Sequence, residues 1–203
     1  MVDTDPVEVE RLLLAGELSC PCCEGVLGPW GHARWRSSRG ERDAVVRHRP
    51  RRASCKVCAK THVLLPVVWL SRRADAAAVI GSALLAKATG AGHRPIAALL
   101  GRPASTVRGW LRRFSERAEE VRVLFTRLLY ALDTEAGPLL PRASVFADAV
   151  EALGRAGAAA VARLWPRSPW EYASRVSAGL LLAPAVIRPA RTTTGLGAVS
   201  HTS

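Results

Sequence analysis

Residues 95–114 read PIAALLGRPASTVRGWLRRF, and this stretch predicts a helix, a tight turn and a second helix. Ile96 and Leu100 lie on one apolar face of the first helix, because their spacing matches the helical period. Gly101 ends that helix, since glycine readily takes the left-handed conformation of a C-terminal cap. Pro103 cannot continue a helical hydrogen-bond ladder and therefore marks the turn. The apolar face of the second helix consists of Val107, Trp110, Leu111 and Phe114.

The other face of the second helix carries hydroxyl and guanidinium groups. An apolar face opposite such a polar face is what a recognition helix needs when it enters the DNA major groove. An ordinary helical hairpin with a basic, solvent-exposed side is the alternative interpretation. We favour DNA binding because the turn, the cap and the two faces all agree. The predicted DNA contacts of this segment are Arg94, Arg102, Ser105, Thr106, Arg108, Arg112 and Arg113.

The segment resembles the helix-turn-helix of transposases and bacterial repressors, whose usual pattern is I-A-x-x-L-G-x-[SP]-x-[ST]-T-V-x-x-W-L. Arg102 departs from this resemblance, because its position is usually apolar. The likeness implies a DNA-binding unit of helices. The matching residues are Ile96, Ala97, Leu100, Gly101, Pro103, Ser105, Thr106, Val107, Trp110 and Leu111.

Two C-x-x-C pairs precede the helical segment, and each can form a knuckle that turns two thiolates toward one ion. Four thiolates complete a closed tetrahedron, which is typical of a structural rather than a catalytic zinc site. Residues 24–54 separate the pairs, a longer gap than the roughly 15–20 residues of a usual ribbon. The predicted cofactor is structural Zn²⁺, and its predicted ligands are Cys20, Cys23, Cys55 and Cys58.

Three further residues are alternative ligands. Cys22 can replace one of its neighbours, and His62 or His32 can substitute for a thiolate. We favour a buried Cys22 and histidines without a metal role, because the x-x spacing selects Cys20 with Cys23. The main rival to zinc is a redox dithiol. That chemistry needs one C-x-x-C near a βαβ pattern, and the sequence shows no such pattern.

Strand-like segments at 31–37, 44–53 and 61–70 predict a three-stranded zinc ribbon around the cysteines. The first two segments are rich in arginine. Because side chains alternate along a strand, a row of arginines on one face can follow a phosphate backbone. A solvated, highly charged hairpin is the alternative. The predicted DNA contacts here are Arg34, Arg36, Arg47, Arg49 and Arg51.

This region resembles the zinc ribbons at the start of insertion-sequence transposases. The likeness rests on C-P-x-C, then W-G-H-x-R, several arginines and C-x-x-C-x-x-T-H. It implies a metal-binding, DNA-contacting module. Ala59 departs from the pattern, because a glycine often follows the last cysteine.

The expected fold class is mainly α with a small β zinc ribbon, followed by a three-helix helix-turn-helix unit, C-terminal helices and a disordered tail. A helix over 71–90, with Asp75 near its N-terminus, supplies the third helix of the unit. A long helix is predicted from residue 103 to residue 132. The predicted domains are a short acidic helix at 1–19, the ribbon at 20–70, the helix-turn-helix domain at 71–132, C-terminal helices at 145–182 and the disordered tail at 183–203.

With its zinc ribbon, helix-turn-helix and C-terminal helices in this order, the chain resembles a family of bacterial proteins, found mainly in actinobacteria, that carries a domain of unknown function. The likeness runs from CPCC to about Val186 and includes T-H-V-L-L-P and G-W-L-R-R-F. Members are often encoded beside integrase-type transposases. The resemblance implies the fold and a mobile-element context, and it implies no particular activity.

The composition is strongly basic, with 29 Lys and Arg against 17 Asp and Glu and a net charge of +12. Such a charge indicates a polyanionic partner, here double-stranded DNA. The first residues are acidic and hold only a short apolar run, so we expect no signal peptide. No stretch is long and apolar enough for a membrane span, and we expect no membrane partner. The expected location is the cytoplasm, in association with the nucleoid.

We expect no catalytic activity, because the acids that follow the helix-turn-helix lie on predicted helices or linkers rather than on a catalytic sheet. A DNA recombinase with an unrecognised site is the less favoured alternative. The favoured function is the non-catalytic DNA-recognition component of a mobile element, acting with a separately encoded transposase or integrase. A transcriptional regulator whose C-terminal region binds a partner or forms a homodimer is the other alternative.

Overall fold

The computed structural model describes residues 2, 5–41, 44–163 and 168–183. In these ranges the chain forms seven helices and two small antiparallel sheets, which agrees with a mainly α fold carrying a small β part. The tail predicted to be disordered lies, from residue 184 on, outside the described residues. The elements are α1 Pro6–Leu14, β1 Leu27–His32, β2 Arg36–Arg39, β3 Val45–His48, β4 Arg51–Cys55, β5 Thr61–Val63, α2 Ala77–Ala88, α3 His93–Leu100, α4 Ala104–Ser115, α5 Ala118–Leu132, α6 Val145–Arg163 and α7 Pro169–Val176.

The strands differ from the predicted three-stranded ribbon. One sheet has the order β1-β4-β5, and a second, two-stranded sheet pairs β2 with β3. The strand predicted over 44–53 is divided between the two sheets at Pro50, which has no N–H to donate to a ladder. The strand predicted over 31–37 is divided between the end of β1 at His32 and the start of β2 at Arg36. Gly31, which has a φ of 72°, lies at a register shift within β1. The third predicted strand is shortened to Thr61–Val63, ahead of Pro66.

The three-stranded sheet and α1 enclose a small hydrophobic cluster. In this cluster the cysteines pack together with aliphatic residues of α1 and of the sheet, so the thiols belong to the interior of the N-terminal part. Asp5 caps α1 by accepting a hydrogen bond from the backbone N–H of Val7 at 2.9 Å. The buried members are Val2, Val9, Leu13, Cys20, Leu27, Ala53, Cys55 and Leu64.

The predicted helix–turn–helix segment forms α3 and α4. Gly101 has a φ of 61° and a ψ of 37°, the left-handed conformation expected of a C-terminal cap. The four apolar residues predicted for the second helix are all buried in α4: Val107, Trp110, Leu111 and Phe114. The face of α4 that packs on the core is therefore the predicted one.

The long helix predicted over 103–132 is two helices, because the chain breaks at Arg117. This side chain is buried, and its Nη1 donates to the carbonyl oxygens of Leu180, at 2.8 Å, and of Ala183. Phe114 before the break packs edge-on against Phe146 of α6, with ring centroids 4.8 Å apart. The C-terminal helices thus share one hydrophobic cluster with α2–α5. The predicted domain boundaries remain a prediction.

Helix α7 begins with a side-chain cap. The Ser168 hydroxyl accepts a hydrogen bond from the backbone N–H of Glu171 at 3.2 Å, and Pro169 occupies the first turn. Trp170 lies against Gly81 of α2, where any β-carbon would overlap the indole ring. Among the described residues, none of the helices has the length and apolar character needed to cross a membrane.

Candidate metal centre and nucleic-acid interface

The four predicted ligands come together at one point between β1, β4 and the two knuckles. Cys20 Sγ lies 3.7 Å from Cys58 Sγ, and Cys23 Sγ lies 3.5 Å from Cys55 Sγ. All four sulfur atoms lie within 4.8 Å of one another. Four sulfurs bound at about 2.3 Å to a tetrahedral ion would be separated by about 3.8 Å. The observed spacing therefore fits a single four-coordinate metal ion.

Backbone N–H groups of the knuckles point at the sulfur atoms. The N–H groups of Cys58 and Val57 donate to Cys55 Sγ at 3.5 and 3.4 Å and, with that of Cys58 as the larger influence, lower the pKa of the Cys55 thiol to about 6. The pKa of the Cys23 thiol is lowered by the N–H of Gly25, but the neighbouring Cys55 and Cys58 thiols raise it to about 12. The Cys55 thiol therefore ionises readily, whereas ionisation of the Cys23 thiol is disfavoured. A bound cation would be needed to hold all four thiols in the ionised form.

Cys22 and His62 lie beside this cluster. Cys22 is exposed rather than buried, which corrects the favoured interpretation of that residue. His62 Nε2 lies 3.4 Å from Cys20 Sγ, and Cys20, Cys22 and His62 form a second group of three potential ligands. His32 is exposed and belongs to neither group. The tetrad of thiols remains the set with a complete tetrahedron.

Helix α4 presents the predicted polar face to solvent. Ser105, Arg108 and Arg112 are exposed, and Thr106 and Arg113 are half-buried. Arg112 pairs with Glu116 at 2.9 Å, and Arg113 donates to the carbonyl of Gly109 at 3.0 Å. Arg108 lies in the first half of the helix.

The two remaining predicted contacts of this segment differ from each other. Arg94 is exposed on α3. Arg102 lies in the turn but points into the protein, with 2% of its side chain exposed. Its Nε donates to Asp75 Oδ1 at 2.7 Å, and its Nη2 donates to the carbonyl of Gly40 at 2.9 Å. Arg102 is therefore removed from the candidate DNA interface, because its charge is already paired inside the protein.

Asp75 does not lie in the first turn of α2, where the sequence predicted it. The sequence placed it as an N-terminal acid of a helix, but α2 begins at Ala77, and its N-cap is Ala76 without a side-chain cap. The Asp75 side chain is buried between two arginines, receiving Arg102 on one oxygen and Arg39 Nη2, at 2.9 Å, on the other. Together Arg39, Asp75 and Arg102 form an ionic triad that joins β2, the start of α2 and the α3–α4 turn.

The predicted arginine row of the ribbon is not continuous. Arg47 lies in β3 of the two-stranded hairpin, whereas Arg51 lies in β4 of the other sheet. Arg51 binds Glu10 of α1 through two contacts, at 2.7 and 3.0 Å, and the carbonyl of Gly31 at 2.6 Å. It is thus a structural link between α1 and the sheet. The exposed members of the predicted row are Arg34, Arg36, Arg47 and Arg49.

Sequence reasoning missed the residues that hold the hairpin in place. His48 of β3 stacks on Trp69, with ring centroids 5.2 Å apart and an interplanar angle of 11°. On the exposed side, the guanidinium of Arg47 lies 5.5 Å from the ring centre of Trp35. The one available signal was Arg102 itself, since an arginine at a usually apolar position requires a buried counter-charge.

The comparisons with known proteins identify one part of the chain. A sequence profile of the homeodomain-like domain family matches residues 73–122, which contain α2, α3, α4 and the start of α5. Neither a curated protein nor a solved structure matches the chain. The matched segment has the character of a DNA-binding domain typical of transposases, and its second and third helices are those that carry Arg94 and Arg108.

Proposed function

We propose that this protein is a sequence-specific, non-catalytic DNA-binding protein, the DNA-recognition component of a mobile element or transposase system. It works in the cytoplasm at the nucleoid, together with a separately encoded transposase or integrase. The observation that carries the proposal is the exposed face of α4 with Ser105, Arg108 and Arg112, opposite the buried face of the same helix. This helix lies inside the segment that matches the homeodomain-like family.

In this proposal α4 enters the major groove with its N-terminal half leading. Arg108 can present two parallel N–H donors to the O6 and N7 atoms of a guanine. Ser105, at the start of the helix, can donate to a phosphate or a base edge. Arg112, one turn further on, keeps its partner Glu116 and approaches the backbone of the same groove.

The metal centre has a structural role in the proposal, and the ion is Zn²⁺. Four thiols without a carboxylate are the donor set that favours zinc, and the sulfur spacing fits its tetrahedron. Zinc supplies no reaction here, but it holds the two knuckles together. Structural zinc contributes about 10–16 kcal/mol of apparent binding energy in small domains, so the ribbon depends on it.

A non-catalytic role is supported by the positions of the acids that follow α4. Glu119 pairs with Arg122 at 2.6 Å, and Asp133 pairs with Arg163 at 2.9 Å. Glu151 pairs with Arg142 at 3.1 Å. These carboxylates are spread along α5, the following loop and α6, and each stabilises a local ion pair.

The experiment that tests the proposal is a selection of bound sequences from a random pool of double-stranded DNA, with zinc and again after chelation. We expect an enriched motif that is lost on chelation, and about one zinc per chain by elemental analysis. A motif that matches the ends of a mobile element supports the transposition role, whereas promoter sites would favour the transcriptional regulator. A pool without enrichment would refute sequence-specific binding.

A further inference from the structure

The β2–β3 hairpin is attached to the helical domain through its backbone. The N–H of Arg39 donates to the carbonyl of Ala74 at 2.6 Å, and the N–H of Ala76 donates to the carbonyl of Arg39 at 2.9 Å. The hairpin therefore continues its ladder into the segment that leads into α2. A pair of such bonds fixes both the position and the direction of β2.

Side chains fix the hairpin at two further points. At its tip, the buried Asp75 carboxylate joins Arg39 to Arg102, while Arg102 also binds the carbonyl of Gly40. At its other end, His48 stacks on Trp69, which is itself 5% exposed. The hairpin is thus held at both ends and cannot swing independently of the helices.

The tip of the hairpin lies next to the N-terminal end of α4. Arg102 precedes the first residue of that helix by two positions, and its Nη2 is 2.9 Å from the Gly40 carbonyl. In a helix-turn-helix, the N-terminal residues of the second helix are the ones that contact base edges. The hairpin consequently lies at the end of α4 that enters the groove.

The open face of the hairpin has the chemistry of a phosphate contact. Arg47 and Ser37 are cross-strand partners, and Trp35 lies under the Arg47 guanidinium. Arg36 lies on the opposite face, because its cross-strand partner is His48 and side chains alternate along a strand. Among the described residues, no carboxylate forms an ion pair with Arg47. Four paired residues extend about 13 Å, and the major groove is about 12 Å wide. The hairpin can therefore reach the phosphate strand beside the groove that α4 occupies.

We propose that the β2–β3 hairpin and α4 form one rigid surface that binds a single DNA duplex, with Arg47 on a phosphate that flanks the major-groove site. This inference rests on the proposed function. Its consequence is a longer binding site than α4 alone would cover, extended on one side only. The buried triad fixes the distance between the motif and that flank.

The test uses the full chain loaded with zinc and the selected DNA site. The variant Arg47→Ala removes the charge on the open face of the hairpin, and the control Arg127→Ala removes one exposed charge from α5. Each protein is measured by hydroxyl-radical footprinting, by affinity at several salt concentrations, and on a duplex shortened on the protected flank.

We expect the hairpin variant to lose protection on one flank and to keep protection of the motif. Its salt slope should be less steep by about 0.9, the contribution of one phosphate contact. Shortening the duplex on that flank should weaken the wild type and the control about tenfold and leave the hairpin variant unchanged.

A hairpin variant with the full wild-type footprint and salt slope would overturn the shared surface. If Arg108→Ala then still lost the motif, the proposed function would stand without the hairpin. A wild type that protects no motif at all would instead overturn the proposed function. The two failures are therefore distinguished by the wild-type footprint.

Discussion

Asp75 and Arg102 form a buried ion pair, with Arg102 Nε 2.7 Å from Asp75 Oδ1 and 2% of each side chain exposed. Arg102 lies in the turn between α3 and α4, while Asp75 precedes α2. The same carboxylate binds Arg39 of the hairpin. A position that is usually apolar in similar helix-turn-helix segments is thus used to connect the helical domain to the ribbon.

Asp75→Asn should destabilise the protein strongly, because it removes the buried carboxylate charge that both Arg102 and Arg39 bind. The expected loss is about 3–5 kcal/mol in the free energy of unfolding. The matched control is Glu119→Gln, which breaks a close but exposed pair with Arg122 and should change the stability far less. Urea unfolding of both variants provides the measurement.

A second variant separates charge from packing in the same place. Asp75→Leu combined with Arg102→Met should recover most of the stability lost in Asp75→Asn, since well-packed apolar groups often replace a buried pair at little cost. Equal stability of Asp75→Asn and the wild type would contradict a role for the pair.

The sequence predicts α3 and α4 well because their signals are local. Glycine at the cap, proline in the turn and apolar residues at helical spacing are read within twenty neighbouring positions. The partner of Arg102 is 27 residues away, and no local pattern connects the two. The unusual arginine was visible in the sequence, but its binding partner is determined by the tertiary structure.

Ala59→Gly should stabilise the ribbon. Ala59 has a φ of 57°, in the left-handed region that costs a residue with a β-carbon about 1–2 kcal/mol. Glycine relieves this cost but loses more backbone entropy on folding, so the net gain should be about 0.5–1 kcal/mol. Ala158→Gly on the exposed side of α6 is the control, and it should destabilise the protein by about 1 kcal/mol. Denaturant unfolding of zinc-loaded protein distinguishes the opposite signs, and a loss at both positions would show that Ala59 is not strained.

This residue also shows what family patterns add to periodicity. The sequence has Ala59 at a position where similar ribbons often have glycine. In the structure Ala59 has a positive φ, the backbone conformation that favours glycine. By contrast, the sequence did not predict that the strands form two separate sheets. This division depends on Pro50 interrupting one predicted strand and on β2 pairing with β3 and binding the segment before α2.

Gly81→Ala should weaken the attachment of α7 to α2. A β-carbon at this buried position would overlap the indole ring of the half-buried Trp170. The expected cost is about 1–3 kcal/mol, as for other overpacked cores. Gly154→Ala in α6 is the matched control, because no atom lies within 4 Å of its added β-carbon, and it should stabilise the helix by up to about 1 kcal/mol. Thermal unfolding followed by tryptophan fluorescence tests the pair; equal effects would argue against close contact between α7 and α2.

Arg108→Ala tests whether α4 reads a sequence or only follows the backbone. A guanidinium that binds a guanine edge should lose about 1–3 kcal/mol of affinity on the selected site, with relaxed preference at one base position. On DNA already changed at that base, the variant should bind about as well as the wild type, because the contact is absent from both. An equal loss on every DNA sequence would instead assign Arg108 to a phosphate. Arg127→Ala on α5 controls for the lost charge, and only a base-dependent difference between the two variants supports direct recognition by α4.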